Sequence, residues 1–257
     1  MRLVVLGSGT SVPHPQRASA AFWLETDGGS MLLDCSADTP HRMAQENLDW
    51  PNLDAIWISH LHLHLDHSGG LASLLFGMKW ASQTQSRRKP LKMFSCAGLE
   101  RVLKAIDDSN DYGLFKQPFP VELHECSDSP SEFEPFEGLR CATFSTPHTR
   151  ESLALRATDS EQKTMVYSSD TGFSEELATF ARDADLFVLE CSFYEAKPVQ
   201  THLELAEAMR IAQLAEPRKL LLTHLYPEWD EIDLEATARA LWPGETIAAR
   251  DGLRLEI

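Results

Sequence analysis

Apolar positions in this chain fall into short blocks, and most of the blocks end on a polar residue. Residues 1–6 read as a strand that leads into the glycine-rich turn Gly7-Ser8-Gly9-Thr10-Ser11. Residues 20–25 and 30–34 form a hairpin across Asp27-Gly28-Gly29. Asp38-Thr39-Pro40 caps a helix running to about Leu48. The block 55–58 is wholly apolar, as a strand buried on both faces is. Ser68-Gly69-Gly70 opens a helix with Leu71, Leu74, Leu75 and Met78 along one face. Residues 91–95 read as a strand, 98–107 as a helix on Leu99, Val102, Leu103 and Ile106, and 127–135 as a polar, proline-containing loop. Strands follow over 139–145, 152–157, 163–168, 186–189 and 219–222. Thr201-His202-Leu203-Glu204 reads as a capping box that starts a helix through Glu216, with His202 in its first turn. A helix near 234–241 and a strand pair around Asp251-Gly252 complete the pattern.

Composition narrows the class. The chain has 257 residues, 43% hydrophobic and 24% charged, which fits one α/β domain over residues 1–257. No apolar run approaches the length of a membrane span. Five cysteines, an odd number with no C-x-x-C pair, fit reduced thiols and a cytoplasmic location. A formal net charge of -16 counts against a broad nucleic-acid footprint. The one basic cluster, Arg87-Arg88-Lys89 with Lys92, reads as a solvated loop, and His14 and Arg17 as loop residues that could also face a substrate.

The candidate chemistry lies in residues 58–70, I-S-H-L-H-L-H-L-D-H-S-G-G, between a strand and a helix start. Imidazole and carboxylate suit zinc and its first-row neighbours. His62 and His64, two apart in an extended segment, can point to one side and share one ion; Asp66 and His67 follow after a turn and can hold a second. His60 either lies outside the ligand set or competes with His64 for a place in it. Other strands end on ligand-capable residues too: Asp34, His148, Asp170, Glu190 and His224. Such a series suggests a site built along one sheet edge.

The H-x-H-x-D-H spacing at His62-Leu63-His64-Leu65-Asp66-His67 and the ordered strand-end residues resemble the metallo-β-lactamase fold hydrolases, over nearly the whole chain. That resemblance implies a four-layer αββα sandwich. It implies a first metal on His62, His64 and His148, a second on Asp66, His67 and His224, and Asp170 bridging them. Asp34 would orient the ligand loop. In that family a Thr or Ser usually stands directly before the first ligand histidine, whereas here Ser59 precedes His60. Two divalent ions, zinc first and manganese or iron as alternatives, would hold a bridging hydroxide and polarise a substrate oxygen, with Asp66 beside it. Glu190-Cys191-Ser192 followed by Thr201-His202 resembles the branch holding ribonuclease Z and the cyclic-phosphate diesterase of phosphonate breakdown. In that branch Glu190 and His202 would act at the leaving group, and a homodimer is common. The segment between His148 and Asp170 has room only for a hairpin, not for the long tRNA-gripping arm of ribonuclease Z. Small or cyclic phosphodiesters are therefore the expected substrates, with tRNA 3′-end cleavage second and a thioesterase or lactonase as the further alternative.

Overall fold

The computed structural model describes residues 1–61, 65–126 and 130–257. In chain order, β1 (Arg2–Gly7), β2 (Ala21–Thr26) and β3 (Gly29–Leu33) form an antiparallel meander; α1 (Thr39–Gln45) leads to β4 (Ala55–Ile58), which is parallel to β3. Then come α2 (Leu65–Ser68), α3 (Leu71–Trp80), β5 (Leu91–Cys96), α4 (Leu99–Asn110) and β6 (Val121–Cys126). The second half holds β7 (Glu132–Phe136), β8 (Leu139–Ser145), β9 (Leu153–Asp159), β10 (Thr164–Tyr167), α5 (Glu175–Phe180) and β11 (Leu186–Glu190). It ends with α6 (Leu205–Ala215), β12 (Lys219–Thr223), α7 (Leu234–Leu241), β13 (Glu245–Ala248) and β14 (Arg254–Glu256).

The strands make two mixed sheets, ordered β14-β1-β2-β3-β4-β5-β6 and β13-β12-β11-β10-β9-β8-β7. Alternate side chains explain the packing. Leu3, Val5, Phe22 and Leu24 meet Tyr167, Leu186 and Val188 between the sheets. Val4, Leu6, Trp23 and Ile56 turn outward onto α1, α3 and α4, and Phe187, Leu189 and Leu220 onto α5, α6 and α7. The central strands are buried on both faces, so they read as apolar runs rather than as alternating ones. The result is the four-layer αββα sandwich that the resemblance implies. No helix among the described residues is long and apolar enough to cross a membrane.

Several local readings need correction. Residues 132–136 are not loop but β7, an edge strand whose register shifts between Phe133 and Phe136. An edge position and a bulge are where Pro135 can sit in a sheet. Residues 127–129 lie outside the described residues. The parallel edge strand β6 had no apolar block to announce it, because its two faces alternate between half-buried and exposed. β13 and β14 do not pair with each other: one extends the second sheet beside β12, the other the first beside β1. α1 ends at Gln45, and the Asp38 side chain makes no cap bond. Arg87 is not solvated. It is buried, donates to the carbonyls of Pro51, Lys89 and Pro90, and lies over the Phe119 ring.

Candidate metal centre

The site lies where the strands of both sheets end. Asp34 follows β3, His60 follows β4, His148 follows β8, Asp170 follows β10, Glu190 closes β11 and His224 follows β12. Asp66 and His67 sit on α2, whose carbonyls are tied back to the strand end through Cys35 N to His67 O at 2.8 Å. Three strand-end residues, Asp34 (φ 58°), Ser169 (φ 55°) and His224 (φ 58°), hold the left-handed conformation. Each such non-glycine residue costs of order 1–3 kcal/mol and clusters at functional sites. Gly7, beside this edge, is required by crowding: an added Cβ would lie 1.9 Å from the Ser19 carbonyl oxygen. The carbonyl of Ser8 in that turn accepts from Leu225 N at 2.9 Å, next to His224.

The rings are oriented by their Nδ1 atoms. His67 Nδ1 donates to Asp34 Oδ2 at 2.8 Å, His148 Nδ1 to the Thr201 carbonyl at 2.9 Å, and His224 Nδ1 to Ser192 Oγ at 2.9 Å. His60 Nδ1 meets Ser59 Oγ at 2.9 Å. In each ring this turns Nε2 toward the Asp170 carboxylate. Around Asp170 these atoms sort into two groups. Oδ1 lies 3.3 Å from His67 Nε2 and 3.4 Å from His224 Nε2; Oδ2 lies 3.7 Å from both His60 Nε2 and His148 Nε2. Asp66 Oδ2 joins the first group, 3.7 Å from His67 Nε2 and 3.6 Å from His224 Nε2. One residue set, His60, His148 and Asp170, and another, Asp66, His67 and His224, each bring three donor atoms within 4.8 Å of one another.

A divalent ion fits these sets. Donors about 2.1 Å from one ion at tetrahedral angles lie roughly 3.4 Å apart, close to the separations here. His67 Nε2, His224 Nε2 and Asp170 Oδ2 are buried and have no hydrogen-bond partner among the described residues. Buried polar atoms left this way are costly unless something coordinates them. Burial opposes ionisation of Asp170, but the facing His224 and His67 rings hold its carboxyl well below the ordinary range. Burial opposes a charge on His67, yet Asp170 and Asp34 push it up. His62 and His64 lie outside the described residues.

Asp34 carries the ligand loop. It accepts from Ser59 N at 2.8 Å, Ser59 Oγ at 2.9 Å, His67 Nδ1 and the Tyr167 hydroxyl at 2.9 Å. Tyr167 was not singled out in the sequence, and Ser59 was noted only as the residue before His60. Ser59 had a signal, standing just before a histidine; Tyr167 had none, because its partner is far away in the chain.

Glu190 organises a second network. Oε1 accepts from Thr171 N at 2.7 Å and His202 Nδ1 at 2.9 Å; Oε2 accepts from Ser192 Oγ at 2.6 Å and Leu203 N at 3.1 Å. Burial opposes a charge on His202, but the Glu190 carboxylate outweighs it and pushes the imidazole up to about 9. His202 stacks on His224 with ring centroids 5.3 Å apart. It does not open α6. Glu204 is the N-cap there, in a capping box with Glu207, so His202 stands two residues ahead of the cap and outside the first turn. Ser192, two residues after Glu190 and linking it to His224, was read only as part of the Glu190-Cys191-Ser192 motif, with no role of its own. His14 and Arg17 are drawn aside to Asp230 rather than to the donor clusters. Beside His148 and His202 opens a largely apolar cavity of about 870 Å³, with Phe193, Val199 and Tyr226 in its wall.

A family model described as "Anti-Pycsar protein Apyc1" matches residues 1–242. The probable metallo-hydrolase YhfI of Bacillus subtilis is 28% identical over 256 residues, covering 98% of both chains. Its crystal structure superposes with a TM-score of 0.82 at 24% identity, over 100% of this chain and 98% of that one, and is described as a metallo-β-lactamase fold protein. A ribonuclease Z of Haloferax volcanii is 27% identical over 314 residues, covering 100% of this chain and 95% of that one. The structure of a diphosphatase from the PhnP family matches with a TM-score of 0.74 and 22% identity, over 100% of this chain and 97% of that one. The chain thus has the metallo-β-lactamase fold and belongs to the family described as anti-Pycsar protein Apyc1.

Proposed function

We propose that this metal-dependent hydrolase is a phosphodiesterase for small or cyclic phosphodiesters. The observation that carries the reading is the Glu190–His202 pair, set beside two converging donor clusters and open to an apolar cavity. His148 with His62 and His64 would hold one divalent ion, Asp66, His67 and His224 the other, with Asp170 between them. Bound there, such ions supply Lewis acidity toward a phosphoryl oxygen and activate water at neutral pH. Asp66, between His67 and His224, orients the attacking water. Nδ1 of His202 is engaged by Glu190, so Nε2 delivers the proton to the leaving alkoxide oxygen. Phe193, Val199 and Tyr226 receive the organic part of the substrate.

Cleavage of tRNA 3′ ends is the second reading, supported by the ribonuclease Z relative. Against it stand the net charge of -16 and the segment between His148 and Asp170, which is the plain hairpin β9–β10 with no arm. A panel of a 3′,5′-cyclic nucleotide, a precursor tRNA, a thioester and a lactone, assayed with zinc and with manganese, separates the readings. The cyclic diester is expected to turn over fastest. Faster cleavage of the precursor tRNA would favour the second reading, and cleavage of the thioester or lactone alone would refute both.

A further inference from the structure

The run of three alternating histidines at positions 60, 62 and 64 offers one histidine more than an H-x-H-x-D-H motif uses. His60 is fully buried, two residues beyond the end of β4. Its Nδ1 is held by Ser59 Oγ at 2.9 Å and faces Ser169 Oγ at 3.3 Å; Ser59 Oγ in turn donates to Asp34 Oδ2 at 2.9 Å. This repeats the way Asp34 holds His67 and Ser192 holds His224. His60 Nε2 is thereby turned to the same Asp170 oxygen that faces His148 Nε2, at the same 3.7 Å. Its ring packs against those of His67 and His148, with centroids 4.3 and 5.0 Å away. A buried side chain that only filled space here would be apolar, whereas this one spends a tautomer-fixing hydrogen bond to aim a nitrogen at a carboxylate.

We infer that His60 is a metal ligand, sharing an ion with His148 and Asp170, in one of the two places that the motif spacing assigns to His62 and His64. One of His62 and His64 is then surplus to that ion. The inference rests on the two-metal reading above but is read out separately from turnover.

The test replaces His60 with Cys and loads the purified protein with cobalt(II). A thiolate bound to cobalt(II) gives a ligand-to-metal charge-transfer band in the near ultraviolet, which imidazole does not. The five native cysteines stand outside both candidate donor sets, so the wild-type protein is the blank. A band in His60→Cys absent from wild type is expected. Because Cys is shorter than His, a folded His60→Cys without the band is decided by zinc content. For that case, and where His60→Cys does not fold, His60→Asn is assayed for bound zinc by elemental analysis. One equivalent fewer than wild type, with the wild-type circular dichroism spectrum, supports the assignment; an undiminished zinc content overturns it. A wild-type protein that takes up no metal would refute the two-metal reading itself, whereas two equivalents both in wild type and in folded His60→Asn refute only this ligand.

Discussion

If His202 protonates the leaving oxygen, its worth must depend on how badly that oxygen needs a proton. An alkoxide leaving group, as in a 3′,5′-cyclic nucleotide, is a strong base; p-nitrophenolate is a weak one and departs without help. His202→Ala is therefore expected to slow the cyclic substrate about 10²–10⁴-fold while slowing bis(p-nitrophenyl) phosphate about tenfold or less. Glu190→Gln gives a second handle, through pH. Glu190 is the charge that lifts His202 from the ordinary 6.5 to about 9. The acid form is present below the raised value and is lost as pH rises through it. Without the carboxylate the loss begins near neutrality. At pH 8 a group of pKa 9 is about 90% protonated and one of 6.5 about 3%, so kcat on the cyclic substrate falls up to about 30-fold and recovers below about pH 6. Asp170 also raises His202, so the fall stops short of the full value. Thr171 N, Leu203 N and Ser192 Oγ all donate to Glu190, so the amide meets donors on both sides. The variant is expected to melt lower, and folding is checked by circular dichroism before rates are taken. Equal losses of His202→Ala on both substrates, or a Glu190→Gln profile with the wild-type alkaline limb, would refute the proton-donor role.

Other outcomes follow from the hydrogen-bond networks. Asp34→Ala strands Ser59 N, Ser59 Oγ, the Tyr167 hydroxyl and His67 Nδ1 in the core, and is expected to lower unfolding free energy by about 3 kcal/mol or more in a denaturant titration. A wild-type midpoint would contradict the account of the loop. Ser192→Ala removes the hydroxyl between Glu190 and His224; metal affinity is expected to drop about 10–100-fold with the fold retained, as measured by competition with a chromophoric chelator. Unchanged affinity would mean that Ser192 does not hold the His224 tautomer. Chelation is expected to lower the melting temperature, because ions that bind only the folded chain stabilise it by mass action. A melting temperature insensitive to chelator would count against occupancy of the donor clusters.

The elements that could be read in the sequence were those whose pattern is local. α3 buries Leu71, Leu74, Leu75 and Met78, the face its spacing predicts, and β8 and α7 keep the predicted bounds. Polar residues closing apolar strands marked the site, because a buried carboxylate or imidazole at a strand end is expensive without a purpose. What could not be read depends on distant partners. The Tyr167 hydroxyl reaches Asp34 from the other sheet, and Arg87 is buried by carbonyls that loop folding brings to it. β6 and β7 are edge strands with too little apolar surface to stand out, and β7 carries a proline. The start of α6 was misplaced because Thr201-x-x-Glu204 and Glu204-x-x-Glu207 both have capping-box spacing, and the second is the one that forms. The repeat in His60-Leu61-His62-Leu63-His64 left its register open in principle, since His62 and His64 are each flanked by leucines and His60 differs only in following Ser59.

The most direct test of a two-metal phosphodiesterase is a titration. Protein stripped by chelator is given zinc or manganese in fractional equivalents, and hydrolysis of bis(p-nitrophenyl) phosphate is followed at each step. Turnover that is absent in the stripped protein, rises with added metal and levels off near two equivalents is the predicted result. Two equivalents bound with no diester hydrolysis, or hydrolysis indifferent to chelator, would contradict it.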